Sequence, residues 1–234
     1  MFPSLLKAGI CLFLLQCELI TSYAQRTPPA PPTDNAQMLA IVVADQKDRG
    51  NNYFYEPGTP EPPPLSGLEI RKNDDSREDK VRDLLNVGSL HTATDYYRAA
   101  LVFQHAYKPD DVLFAHVLAT VAASRGSVDA LWLAAATLDR YLVDTGKQQV
   151  FGTQFSPSPQ SPNGSAWQQD PVSPLLSDAL RAALCVTPLA AQTKGLPARL
   201  ASTSLSPCPV AAALNPSSQA AGATKRLFNR AVKQ

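Results

Sequence analysis

Apolar residues recur at helical spacing through the middle of the chain and predict three successive helices. Stretches that are apolar nearly all round occupy positions 99–103, 112–119 and 130–136. Helices of that kind are buried, and their alanines allow neighbouring backbones to pack closely. Short connections containing Pro109 or Gly126 favour antiparallel neighbours. The pattern therefore predicts a mainly α domain of antiparallel helix hairpins, similar in appearance to tetratricopeptide arrays, although no internal repeat of that length occurs.

Residues that start and stop helices indicate the limits of these three segments. Thr92 or Thr94 can cap the first. The second is expected to begin at Pro109, because proline is favoured at the first helical position. The third is expected to be capped by Ser127 and to end before Gly146, since glycine commonly follows the last turn of a helix.

Two further helices are predicted upstream of this core. Asp34 and Gln37 have the spacing of a reciprocal cap, which predicts a helix from Asp34 to about Arg49. A charged helix with a narrow apolar face is expected at 74–86. The segment between them, at 50–68, is rich in proline and is expected to form an irregular arm.

The segment KQQVFGTQF, at 147–155, differs in composition from the helices before it. Its β-branched and aromatic residues favour extended chain, so the segment predicts a strand that could pair near 165–168. A short helix is then expected from Ser177 or Asp178 to Leu184.

The two ends of the chain have the composition of processed or flexible segments. Residues 1–24 have a positive start, a short apolar middle and small residues before position 25, as secretory signal peptides do. Residues 25–33 form a proline-rich leader, and 193–234 are rich in Ala, Ser and Pro without a sustained pattern. We therefore predict a helical domain at 34–192 between flexible ends, in a protein that is secreted or periplasmic.

Charge and hydropathy narrow the classes of partner. The formal net charge is +1 and no basic block stands out, so we expect no nucleic-acid partner. No apolar run reaches the ~20 residues of a spanning helix, so we expect no stable membrane insertion after signal cleavage. The expected partner is an unidentified protein or another component of the cell envelope.

The spacing of cysteines and histidines bears on disulfides, metals and cofactors. Cys11 and Cys17 would leave with the signal peptide, while Cys185 and Cys208 would remain. Exported proteins commonly pair their cysteines, so a Cys185–Cys208 disulfide is predicted, with two separate thiols as the alternative. The three histidines lack compact spacing, and no phosphate-binding glycine loop or nucleophile elbow occurs. We therefore expect neither a metal nor a cofactor.

Polar residues inside the apolar helices are the candidates for chemistry. His105 follows Gln104 and has Leu101 and Val102 about one turn back, which predicts a buried ring with a hydrogen-bond partner. It could be a structural histidine or a general base. Asp139 has apolar neighbours one turn away on both sides, so its carboxylate needs a cation or several donors.

Two arginines are candidate partners for the acidic residues. Arg140 points away from Asp139 and toward Asp144, and an ordinary surface pair is expected there. Arg49 could reach Asp139 and so tie the first helix to the core. Asp45 and Arg49, four residues apart, can also simply pair with each other.

Four motifs occur along the chain in order. They are DQKDR at 45–49, FQHA at 103–106, LDRYLVDTGKQQVFGTQF at 138–155 and DALRAALCVTPL at 178–189. This pattern resembles a bacterial domain family of unknown function whose members carry D-Q-x-x-R, Q-H and D-R…G-x-x-Q-x-x-G-T-Q motifs. The chain departs from that family before Thr92, where VGSLHTA stands in place of a Gly-Trp-Pro turn.

The resemblance implies a bacterial origin and an all-helical domain, and it brings no established reaction. It also implies that Gln104, His105, Asp139, Arg140 and Gln154 form one polar cluster. The amide of Gln154, which can both donate and accept, is expected to meet Asp139, Arg140 or the Gln104–His105 pair.

These observations leave three hypotheses for function. The first is a binding or scaffold module of the cell envelope, because helical arrays bind partners on their concave faces. The second is a hydrolase in which His105 and Asp139 handle protons. The third is a core network of polar groups that fixes the register of the helices. No catalytic residue can be assigned from motifs alone.

Overall fold

The fold is described from a computed structural model that covers residues 30–49, 65–160 and 167–192. These ranges contain seven helices and two short strands, so the predicted mainly α class is confirmed. The elements are α1 (Ala36–Asp48), α2 (Gly67–Asn86), α3 (Ala93–Phe103), α4 (Pro109–Ser124), α5 (Asp129–Asp144), β1 (Phe155–Pro157), β2 (Trp167–Gln169), α6 (Asp178–Ala183) and α7 (Leu189–Gln192). All of them belong to one compact unit that begins at Thr33.

The five longer helices enclose the main hydrophobic core, with α3 at its centre. The five consecutive residues 99–103 are each at most 1% exposed, which fits a helix that is apolar all round. α3 packs against α1, α2, α4 and α5, and α4 also packs against α5. The apolar stretch of α4 is buried along one side only, since Val117 is 48% exposed.

Hydrogen bonds join the starts of α1 and α3. Thr92 caps α3, because its hydroxyl accepts the Asp95 backbone N–H at 3.0 Å and the Asp95 carboxylate accepts the Thr92 N–H at 3.1 Å. The Asp95 carboxylate also accepts the backbone N–H of Asn35 at 2.8 Å. Asn35 caps α1, so the prediction that Asp34 caps this helix is wrong. The Asp34 carboxylate instead accepts hydrogen bonds from Thr92 and Arg98 on α3.

The charged helix α2 begins at Gly67 rather than at the predicted Asp74. Ser66 and Glu69 cap it reciprocally, with the Ser66 N–H donating to the Glu69 carboxylate at 3.0 Å. This cap lies inside the stretch predicted to be an irregular arm, where nearby prolines obscure the helical signal. Residues 50–64 of that arm lie outside the described residues.

The last long helix, α5, has an uncapped start and a glycine stop. Its N-cap residue is Val128, which provides no capping hydrogen bond, so the prediction of Ser127 as the cap is wrong. Gly146 follows the helix with a φ of 74°, a conformation that glycine adopts without strain. The Lys147 N–H then donates to the Leu142 carbonyl at 2.8 Å, which closes the helix end.

After α5 the chain forms a loop and a small antiparallel sheet. Phe155 lies opposite Gln169, and Pro157 lies opposite Trp167. The predicted strand at 147–155 is therefore confirmed only at its last residue, Phe155, whereas residues 149–154 form a loop with one isolated parallel bridge between Gln149 and Val172. The short helix α6 begins where it was predicted, with Ser177 as its cap.

Several predictions concern residues outside the described ranges. The signal peptide at 1–24, the leader up to residue 29 and the tail at 193–234 stay predictions for that reason. Cys185 is disulfide-bonded. Its predicted pairing with Cys208 also stays a prediction, because Cys208 lies outside the described part of the chain. Among the residues that the structure describes, no helix is long and apolar enough to cross a membrane.

Candidate functional site

A buried network of charged side chains joins α1 to α2. We call it the Asp45 cluster; its members are Asp45, Asp48, Arg49, Asp74 and Arg77. Arg49 pairs with Asp45 at 2.8 Å, which confirms the predicted pair, and with Asp74 at 2.7 Å. Arg77 pairs with Asp74 at 2.5 Å and with Asp48 at 2.6 Å. Arg49 thus contacts acids of α1 and α2, and its proposed pairing with Asp139 is wrong.

Burial makes the Asp45 carboxylate a poor acid. It is completely buried, and burial raises its pKa to about 6 against the opposing influence of Arg49 and Arg77. One carboxylate oxygen accepts the amide of Gln46 at 2.7 Å. The cluster has three carboxylates and only two guanidinium groups, so a proton on Asp45 would make it neutral. These contacts describe a structural ion network between two helices.

His105 lies beside this network and is held in its neutral form. Its Nε2 is 3.9 Å from an Asp45 carboxylate oxygen and 3.4 Å from the side-chain nitrogen of Gln104. Burial, together with Arg49 and Arg140 nearby, puts the pKa of His105 well below its usual range. The Gln104 amide can then donate to the unprotonated ring nitrogen. Within the described residues, no hydrogen bond joins His105 to Asp139.

Asp139 holds the loop that follows α5, here called the Asp139 loop, residues 149–154. One carboxylate oxygen accepts the backbone N–H groups of Val150 at 2.7 Å and Phe151 at 2.9 Å. The other accepts the N–H of Thr153 at 2.9 Å and its hydroxyl at 2.8 Å. Four donors therefore stabilise a fully buried carboxylate in place of a cation.

Gln149 fixes the two ends of the Asp139 loop to each other. Its side-chain oxygen accepts the Gln154 N–H at 2.8 Å. Its side-chain nitrogen donates to the Gln154 carbonyl at 2.9 Å and to the Asp170 carbonyl at 2.8 Å. Gln149 is completely buried, and its amide replaces the backbone partners that a strand would provide. Sequence reasoning placed Gln149 in a motif but missed this role.

A second group of side chains holds the loop from the side of α6 and α7. The buried Arg181 donates to the carbonyls of Val150 and Phe151, each at 3.1 Å. Gln192 donates to the Phe151 carbonyl at 2.9 Å, and Gln169 donates to the Gly152 carbonyl at 2.7 Å. These contacts are to backbone atoms of the loop, so they fix its conformation directly.

Gly152 is required in the loop for two reasons. Its φ is 87°, in the left-handed region that side chains disfavour. A Cβ at this position would also lie 2.4 Å from the side-chain oxygen of Gln192 and 2.8 Å from the side-chain nitrogen of Gln169. The glycine therefore allows the two glutamines to close over the backbone.

Arg140 caps the end of α3. Its guanidinium donates to the carbonyl of Gln104, the C-cap residue of α3, and to the carbonyl of Ala106 just beyond the helix. Its Nε is 3.6 Å from the Asp144 carboxylate, which confirms the predicted surface pair. Arg140 thus connects α5 to the end of α3 beside Gln104.

A pocket of about 250 Å³ lies between α5, the end of the Asp139 loop and the small sheet. Its walls combine amide, charged and aromatic side chains. The lining residues are Gln104, Trp132, Ala136, Thr137, Arg140, Val143, Asp144, Gln154, Phe155, Ser156, Trp167 and Asp170. The pocket thus brings together three of the candidates from the sequence, namely Gln104, Arg140 and Gln154.

The remaining candidates do not line the pocket. His105, Asp139, Asp45 and Arg49 are not among the residues that line it. Sequence reasoning missed the contribution of Trp132, Trp167 and Asp170. The two tryptophans could have been noticed in the sequence, because they are the only ones in it and large aromatic residues are common in binding sites.

The contacts of Gln154 differ from those expected. Its side-chain nitrogen donates to the Ala136 carbonyl at 3.0 Å and to the Thr153 hydroxyl at 3.1 Å. It bonds directly to neither Asp139 nor Arg140, because the loop backbone and the Thr153 hydroxyl take up the oxygens of Asp139. Gln154 therefore fixes the loop to α5 and keeps its side chain at the pocket.

The described residues contain no group of three or more His, Cys, Asp or Glu side chains placed to hold a metal ion. The arrangement at the pocket suits hydrogen bonding and apolar contact with a small molecule. Comparison of the chain with models of protein families, with curated proteins and with solved structures finds no match in any of the three.

Proposed function

We propose that the protein is an exported binding module of the bacterial cell envelope, and that its ligand is a small molecule held in the pocket beside the Asp139 loop. The observation that carries the proposal is the pocket itself. It combines aromatic and aliphatic side chains with a larger set of amide, hydroxyl and charged groups, and polar groups that converge beside an apolar surface can orient a ligand.

The construction of the pocket wall supports binding over a purely structural role. Buried polar side chains fix the backbone of the Asp139 loop, and Gln154 at its end faces the pocket. Such a wall is preorganised, so a ligand would bind without the entropic cost of ordering a loop. A core network alone would not need an open space lined by Gln104, Arg140 and Gln154.

The geometry gives less support to the alternative, a hydrolase that uses His105 and Asp139. A general base must reach the proton it removes, directly or through one water. The Asp139 carboxylate already accepts four hydrogen bonds, and neither side chain lines the pocket.

The proposal is tested by blocking the pocket. Val143 lines it from α5, and a Val143→Trp substitution would fill it. Val117→Trp on α4 is the matched control, because Val117 is exposed and lies outside the pocket. The purified mature protein, residues 25–234, is screened by thermal shift against defined sugars, amino acids, amines and organic acids. We expect at least one class to stabilise the wild type and the control but not Val143→Trp. Equal stabilisation of all three proteins, or no stabilisation by any class, would contradict the proposal.

Export is tested separately in a bacterial host. The full chain is expressed and the cell fractions are separated. We expect the protein in the periplasm or medium, with a mature amino terminus at Gln25. Uncleaved protein that remains in the cytoplasm would contradict the envelope location.

A further inference from the structure

Three aromatic side chains lie in the apolar part of the pocket wall. Both tryptophans of the chain line it, Trp132 from α5 and Trp167 from β2, and Phe155 from β1 lies with them. All three are half-buried. An indole ring offers a rigid, flat apolar surface at low entropic cost. A ligand in this pocket therefore needs an apolar face.

The polar groups of the pocket are mainly hydrogen-bond acceptors. The side-chain nitrogen of Gln154 is engaged with Ala136 and Thr153, and that of Gln104 is directed at His105. The side-chain oxygens of both glutamines accept no hydrogen bond from the described residues, and both side chains line the pocket. A ligand that fits must therefore donate hydrogen bonds.

Charge argues against anionic ligands. Asp144 and Asp170 contribute two negative charges and Arg140 one positive charge, which leaves the lining at −1 when all are ionised. That charge disfavours phosphate and carboxylate groups. Asp144 already pairs with Arg140 and Asp170 already accepts the Ser156 hydroxyl, so an ammonium group would find neither carboxylate free of partners, and amines are the competing class of ligand. Hydroxyl groups suit the site, because each can donate to an amide or carboxylate oxygen and accept from Arg140.

The pocket's size limits the ligand to about one ring. Its volume of about 250 Å³ lies below the range of ~300–1,000 Å³ typical of sites for drug-sized molecules. We propose that the pocket binds one ring of a carbohydrate. The C–H face of the sugar packs on the tryptophans, and its hydroxyls bind Gln104, Gln154 and Asp170. This inference rests on the proposed function and names the class of ligand.

The test uses tryptophan as the reporter. Because the chain has only Trp132 and Trp167, intrinsic fluorescence and the two indole N–H signals in NMR spectra both report on the pocket. The mature protein, residues 25–234, is titrated with a panel of neutral mono- and disaccharides, with choline and ethanolamine, and with acetate and phosphate. We expect saturable shifts with at least one sugar and a Kd of about 1 mM, as a single-ring ligand with few contacts would give.

Substitutions test whether the sugar-dependent tryptophan signals arise from binding in the pocket. Trp167→Ala should weaken sugar binding at least tenfold, while Trp167→Phe, which keeps an aromatic face, should lose much less. Tyr107→Ala is the control, since Tyr107 is half-exposed and lies outside the pocket. Thermal melts confirm that each variant folds.

The outcomes separate this inference from the proposed function. Saturable binding of amines or anions without binding of sugars would overturn the carbohydrate assignment and leave the binding function standing. Sugar binding that Trp167→Ala does not change, in a folded variant, would overturn the assigned site. Absence of binding in every arm of the panel would contradict both proposals.

Discussion

Replacement of Asp139 by Asn tests how much its carboxylate stabilises the loop that closes the pocket. The substitution keeps the shape of the side chain and one acceptor oxygen. That oxygen can still accept the N–H groups of Val150 and Phe151, now without the negative charge. The new amide nitrogen would face the Thr153 N–H, so two donors would oppose each other in a buried site.

The expected loss of stability in Asp139→Asn follows from these contacts. An unsatisfied buried donor costs about 1–3 kcal/mol, and hydrogen bonds to a charged group are stronger than neutral ones by about 1 kcal/mol each. Allowing for rotation of the Thr153 hydroxyl, we expect Asp139→Asn to lower the free energy of unfolding by about 3 kcal/mol. For a domain of this size the loss corresponds to a decrease in Tm of about 10 °C.

The assay is urea unfolding followed by circular dichroism, with Asp144→Asn as the matched control. Asp144 is at the end of the same helix and is exposed, so its replacement should change stability by less than about 0.5 kcal/mol. If Asp139→Asn were as stable as this control, the carboxylate would not be what holds the loop.

Three further predictions concern the loop and the buried titratable groups. Gly152→Ala should lower the free energy of unfolding by about 3 kcal/mol, because backbone strain adds to the clash with Gln192. Gly126 also has a positive φ but faces open space, so Gly126→Ala should lower it by only about 1 kcal/mol. Equal losses for the two variants in urea unfolding would exclude the clash. Burial and the nearby Asp111 raise the pKa of Glu78 to about 7. The native state therefore binds this proton more tightly than the unfolded state, and stability is lost as pH rises from about 4.5 through 7. Glu78→Gln should thus raise Tm at about pH 8 and change it little at about pH 4.5; a lower Tm at pH 8 would contradict this. For His105 the pKa is lowered instead, so its contribution to stability is lost as pH falls below about 6.5. Its ring signals in NMR spectra should titrate well below the usual range of histidine, and a midpoint near 6.5 would show an exposed ring.

The helices of the core could be predicted from the sequence because their signals are local. The apolar run at 99–103, the proline at 109 and the glycine at 146 each mark a helix without reference to distant residues. The errors at Asp34 and Ser127 both concern helix starts. Asn35 rather than its neighbour Asp34 caps α1, whereas no side chain caps α5, and a local pattern does not distinguish these outcomes.

The candidate site could be predicted only in part, for a different reason. The burial of Asp139 and its need for several donors follow from its apolar neighbours in α5. That those donors are backbone groups of residues 150–153 depends on a loop conformation that propensity does not specify. The position of Trp167 in the pocket depends on strand pairing across residues outside the described ranges, which a local pattern does not reveal.

Amide hydrogen exchange of the wild-type domain, measured residue by residue, tests the central claim most directly. The claim is that buried side chains hold the Asp139 loop as a rigid wall of the pocket. If so, the amides of Val150, Phe151 and Thr153 exchange almost as slowly as those of the core residues 99–103. Exchange at the fast rates of an open surface loop would contradict the account.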